Sequence, residues 1–242
     1  MRELRELTDV EDPAWPGLGE ELAAAAARCE LLPADPDRGR ASLLQLQVTA
    51  RSYLGAFVLH CGGLLVDDGW LRVYGSPAAA NARDLPSLAR VNGFPDVVDP
   101  AWRAEAGLVL AHDVLGGVFL LNGPAPAGAG RPGAPGEVVY FAPDSLSWEP
   151  LGAGHGAWLS WTVSGALDGF YEGLRRPGWR DEVRELTGGQ GLSSFPPLWS
   201  AEARQDLSAT SLRAVPLAEL LRSGRDTAVQ LDGTDPGFLG VT

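Results

Sequence analysis

The sequence contains no lysine; all 19 of its basic residues are arginine. That absence removes Schiff-base chemistry, the phosphate-binding lysine of a Walker loop and the lysine of a protein kinase. Cysteine is almost missing too: Cys29 and Cys61 are too few for a disulfide framework in 242 residues and lack metal-ligand spacing. No apolar stretch approaches the roughly 18 residues of a membrane span. The longest candidates, AFVLHCGGLLV and GLVLAHDVLGGVFLL, are interrupted by Gly, His or Asp. The opening MRELRELTDVEDP has no signal-peptide core. No HExxH, GxSxG or paired CxxC pattern occurs, and the glycines of LGGVF and LGAGHGAW lack the spacing and strand-then-helix setting of a phosphate loop. A cytoplasmic chain with neither metal nor cofactor is therefore expected.

Against the 19 arginines stand 31 acids, a net charge of −12. Such a balance repels nucleic-acid phosphate and anionic lipid, so neither nucleic acid nor membrane is an expected partner. Solubility explains the charge by itself; the alternative is a negative surface that meets a basic protein. Hydrophobic residues make up 45% of the chain and eight tryptophans need somewhere to pack, which argues against disorder.

The expected organisation is a single domain over 1–242: a core of about 8–205, a mobile Pro/Gly-rich loop at 124–136 and a helical C-terminal extension at 206–242. Helices are expected at 14–29, at Ala41–Gln47 and after Ser52, an N-cap, with Gly62 and Gly63 ending the third. The period then changes. LLVDDGWLRVYGS turns at Asp68-Gly69, GLVLAHDVLGGVFLLNG turns near Gly116-Gly117, and VVYFA and SWEPL are joined by Pro143-Asp144. The second hairpin, apolar at nearly every position, belongs in the middle of a sheet or at an interface. Residues 76–105 read as an excursion with little regular structure. Further helices follow from His155, Pro177 and Pro216. Strands grouped between helices predict an α+β fold, with one largely antiparallel sheet of about four to six strands packed by helices.

Few residues carry chemistry. Alternation along Trp70–Tyr74 places Trp70, Arg72 and Tyr74 on one face, an aromatic–Arg–aromatic row of the kind enriched at interaction hot spots, unless another segment covers it. A ligand site could instead draw on Asp67, Arg72, His112, Asp113 and His155, near strand and loop ends. Asp67-Asp68 is explained equally well by a turn, and a Cys61–His60 nucleophile pair is disfavoured because sequence neighbours on a helix diverge.

The segments GGLLVDDGWLRVYGS, HDVLGGVFLLNG, GEVVYFAPDSLSWEPLG, FYEGLRRPGW and FPPLW together resemble an uncharacterised bacterial domain of unknown function, over roughly residues 8 to 205. The pattern is also similar, over shorter motifs, to the SUKH superfamily: a helix running into Gly62-Gly63, Tyr74-Gly75 closing a hairpin, Gly116-Gly117, and a VYF strand leading to a helix with Trp158 and Trp161. That second resemblance implies a SUKH-like sheet backed by helices and a non-enzymatic protein-binding role, such as an immunity protein that neutralises a basic toxin.

Overall fold

The computed structural model describes residues 1–79 and 83–241. Seven strands form one antiparallel sheet in which spatial order follows chain order: β1 (Cys29–Pro33), β2 (Cys61–Val66), β3 (Leu71–Tyr74), β4 (Leu108–Asp113), β5 (Val118–Leu121), β6 (Glu137–Ala142) and β7 (Ser147–Gly154). A second, two-stranded antiparallel sheet pairs β8 (Gln190–Phe195) with β9 (Ser211–Pro216). The α+β class is as expected from the sequence, with a larger sheet. All three anticipated hairpins are present, and the apolar second hairpin is central: β4 and β5 are hydrogen-bonded on both sides.

Local chemistry accounts for the helix starts. Helices α1 (Leu4–Thr8) and α2 (Trp15–Ala23) precede β1. Helix α3 (Pro36–Leu46) begins five residues earlier than its apolar pattern suggests, because the Asp35 carboxylate caps the N–H groups of Asp37 and Arg38 and Pro36 occupies the first turn. Ser52 caps α4 (Tyr53–His60) by accepting from Gly55 N–H. Gly62 and Gly63 do not end that helix; the chain passes from His60 straight into β2, where Gly63 pairs with Leu32 on one side and Tyr74 on the other.

Helices α6 (His155–Val163), α7 (Leu167–Phe170) and α8 (Trp179–Arg184) follow the sheet. Phe119 and Tyr140, paired across β5 and β6, pack on Trp158 of α6 and Phe170 of α7, so one face of the sheet carries these helices. The other face carries the β8–β9 sheet, α5 (Leu88–Val91), α10 (Leu217–Asp232) and the tail after it. Arg72 reaches β8, His112 reaches Leu239, and Trp148 Nε1 donates to the Pro236 carbonyl. The helical extension expected at 206–242 therefore contributes a strand as well as a helix, with α9 (Ala201–Gln205) just ahead of it.

The loop at 124–136, expected to be mobile, is tied down: Arg131 is buried, donates to the Ala106 carbonyl and lies over the Trp148 ring. The 76–105 excursion contains α5 and an Ala34–Ala78 bridge; its residues 80–82, like Thr242, lie outside the described residues.

Close backbone approach fixes Gly75, where a Cβ would overlap the Cys61 carbonyl oxygen, whereas a Cβ at Gly169 in α7 meets nothing. Gly75→Ala should destabilise the chain by about 2 kcal/mol or more, while Gly169→Ala should leave it unchanged or raise stability by up to about 1 kcal/mol. Urea denaturation of the two variants checks the contrast.

Candidate functional site

Successive residues of β4 point to opposite faces of the sheet, and the two polar residues that end this strand build two separate buried networks. His112 lies opposite Arg72 in the β3–β4 register, on the face covered by the tail. Its Nε2 is 2.7 Å from the Leu239 carbonyl oxygen, which can only accept. Nε2 therefore carries the proton, and Nδ1 accepts from the Tyr74 hydroxyl at 2.7 Å. Burial lowers the His112 pKa to about 4, so the ring is neutral. Arg72 donates from Nε to Gly69 and from Nη1 to the carbonyls of Gly188 and Gln190.

Asp113 occupies the other face. Its Oδ1 accepts from the N–H groups of Leu115 (2.8 Å) and Gly117 (2.9 Å), and its Oδ2 from the hydroxyls of Tyr140 (2.7 Å) and Tyr171 (3.1 Å). Burial raises its pKa, with these hydrogen bonds opposing the shift. Gly117 is required here, because a Cβ would overlap Asp113 Oδ2 and the Tyr140 hydroxyl.

The expected Trp70–Arg72–Tyr74 recognition row is corrected on two counts. All three residues are buried, at 1%, 2% and 2% exposure. Trp70 also leaves the row: its backbone is helical at the turn before β3, so strand alternation does not reach it. Its ring packs edge-on against Tyr171 and Trp179, while Arg72 and Tyr74 face β8 and the tail. Over the Trp70, Tyr171 and Trp179 rings sits the Arg175 guanidinium, which pairs with Asp67 at 2.6 Å and Asp168 at 2.8 Å.

The alternative ligand set does not converge either. Asp67 belongs to the Arg175 pair, Arg72 and His112 to one network, Asp113 to the other, and His155 to neither. His155 opens α6, is 8% exposed and, among the described residues, has no hydrogen-bond partner on either ring nitrogen; the nearby Trp158 Nε1 has none there either. Neither of the two surface cavities flanking α10 is lined by any of these five residues. Burial pushes the Cys61 thiol up to about 12, and His60 stacks on Trp15, which leaves no activated thiol there. Among the described residues, no group of three or more His, Cys, Asp or Glu could hold a metal ion, and no helix is long and apolar enough to cross a membrane.

Sequence reasoning missed Tyr140, Tyr171 and Arg175. Alternation on β6 could have placed Tyr140 beside Asp113; nothing local marks Tyr171 or Arg175. It also missed the groove between α10 and the tail. This groove, of about 710 Å³, is lined by Val229 and Val241, by the Arg225–Asp235 pair (2.6 and 2.8 Å) and by Arg222 and Asp226.

Residues 4–220 match the family described as "Protein of unknown function DUF2625". The chain belongs to the DUF2625 family. It is 39% identical over 220 residues to "Putative uncharacterized protein YbfG" of Escherichia coli (strain K12), covering 88% of this chain and 94% of that protein. It is 31% identical over 199 residues to an "Uncharacterized protein" of Haemophilus influenzae (strain ATCC 51907 / DSM 11121 / KW20 / Rd), covering 82% and 83%. No solved structure matches the chain. Nothing in these matches to the DUF2625 family points to the SUKH superfamily.

Two expectations follow from the buried networks. Asp113→Ala leaves four donors without their acceptor and should cost about 3–5 kcal/mol in urea denaturation, with Asp113→Asn milder because its amide oxygen still accepts from the Leu115 and Gly117 N–H groups. His112 and His155 both titrate near 4 in the folded chain against 6.5 unfolded. The unfolded state therefore binds protons first, so the stability present above pH 6.5 falls as pH drops towards 4, by up to about 3 kcal/mol per histidine. Asp113 acts oppositely: its raised pKa stabilises below 3.8, and that contribution is lost as pH rises through the folded value. Comparing His155→Phe with the parent chain cancels the Asp113 contribution. The variant should match or exceed the parent at pH 7 and lose less stability at pH 4.5.

Proposed function

We propose that this protein is a non-enzymatic, cytoplasmic protein-binding module whose partner docks in the groove between α10 and the C-terminal tail. The observation that carries this reading is the uncovered apolar surface there. Val229 and Val241, 43% and 53% exposed, line one groove from two different segments. Apolar side chains flanked by charged ones are the make-up of a binding patch, with an apolar centre and a polar rim. The internal pairing of Arg72, His112 and Asp113 supports binding over catalysis, since their hydrogen-bonding capacity is taken up within the fold.

The net charge of −12 favours a basic partner. A toxin held inactive by its immunity protein is the partner class proposed, with no role for nucleic acid or a membrane. Val229→Glu places a charge in the groove at an exposed position, so it should abolish partner capture and rescue from a toxin encoded beside this chain, with thermal stability changed by less than about 0.5 kcal/mol. Capture and rescue by Val229→Glu and Val241→Glu equal to those of the parent would overturn the assignment.

A further inference from the structure

On the other side of α10 lies a second cavity, of about 180 Å³. Its apolar lining includes Phe141 of β6, Leu146 of the following turn, Leu192 of β8, Leu198 and Trp199 after β8, and Leu220 of α10. Its polar lining consists of hydroxyls, from Ser193 and Ser194 on β8 and Ser223 and Thr227 on α10. None of these four hydroxyls has a hydrogen-bond partner among the described residues. Among the described residues no charged side chain lines the cavity, although 21% of the sequence is charged. Gly224 completes the lining from the middle of α10. A Cβ there would stand 3.8 Å from Phe141 Cε1, an ordinary contact, so steric clash does not demand a glycine at this position. Its effect is to leave space.

We propose that this cavity binds a neutral, one-ring aromatic molecule carrying a single hydrogen-bonding substituent, of the phenol type. Size sets the first limit. An aliphatic and aromatic cavity of roughly 150 Å³ accepts benzene, so 180 Å³ holds one ring and a small substituent. Charge sets the second. A carboxylate or ammonium would lose hydration here without meeting a counter-charge. The substituent follows from the lining: serine and threonine hydroxyls both donate and accept, and so serve a phenolic hydroxyl in either role. Trp199 and Phe141 supply aromatic surface for the ring. This site shares no reactive group with the buried networks and lies across α10 from the groove proposed for a protein partner, with Leu221 lining both.

Fluorine NMR on the full-length chain provides the test, with 4-fluorophenol as probe, fluorobenzene as the apolar control, and 4-fluorobenzoate and 4-fluorobenzylammonium as charged controls. Saturable binding of 4-fluorophenol is expected, with a Kd of roughly 1 mM or tighter, and at least about tenfold weaker binding of both charged probes. Thr227→Val, combined with Ser223→Ala, should weaken 4-fluorophenol about fivefold and leave fluorobenzene unchanged. Gly224→Leu should abolish binding of both neutral probes by filling the space. Should that variant not fold, Gly224→Ala carries the same test, with an expected weakening of about threefold. No saturable binding of 4-fluorophenol, equal binding of the charged probes, or binding indifferent to the Gly224 variants would overturn the proposal.

Discussion

Two consecutive residues of the central strand, His112 and Asp113, fasten both outer layers to the sheet. Alternation sends their side chains to opposite faces, and each is wholly buried. His112 fixes the tail through the Leu239 carbonyl, and Asp113 fixes the segment after α7 through Tyr171. Apolar burial supplies most of the energy that holds such layers together, but it tolerates sliding. Buried hydrogen bonds do not: moving either layer would strand a polar group away from water, so these networks determine which arrangement of the layers is native.

The arginine-only basic set fits this interior. The Arg72 guanidinium meets three backbone carbonyls, and that of Arg175 meets two carboxylates and three aromatic rings. A planar fork with five donors can satisfy such sets, whereas a lysine ammonium presents a single, more strongly hydrated point. The groups that look most reactive in the sequence are therefore those most involved in the architecture.

Where turn chemistry is local, the sequence is readable. Asp68-Gly69, Gly116-Gly117 and Pro143-Asp144 each mark a hairpin found in the structure, and Ser52 marks the start of α4. Strand β1 escapes because CELLP follows an alanine-rich helix and carries Glu30 and Pro33; its edge position tolerates both. Strands β8 and β9, QGLSSF and SLRAVP, lack the β-branched alternation that would announce them and are defined by pairing with each other across α9. The site was less legible for a related reason. Residue type marks Arg72, His112 and Asp113 as capable of chemistry, but only the arrival of Gln190, Leu239 and Tyr171 from far along the chain shows that they are enclosed.

The strictly sequential order of the seven strands has a consequence for biosynthesis. As the chain leaves the ribosome, each strand from β2 onward finds its partner already present, so the sheet can grow in the direction of translation without waiting for distant sequence. One face then acquires its helices almost immediately. Arg72 and His112 on the other face must wait 118 and 127 residues for their partners in β8 and the tail, and until these emerge the two polar groups remain hydrated. That face is completed late in synthesis, and a chain interrupted before residue 190 would carry a finished sheet on which Arg72 and His112 still lack their backbone partners.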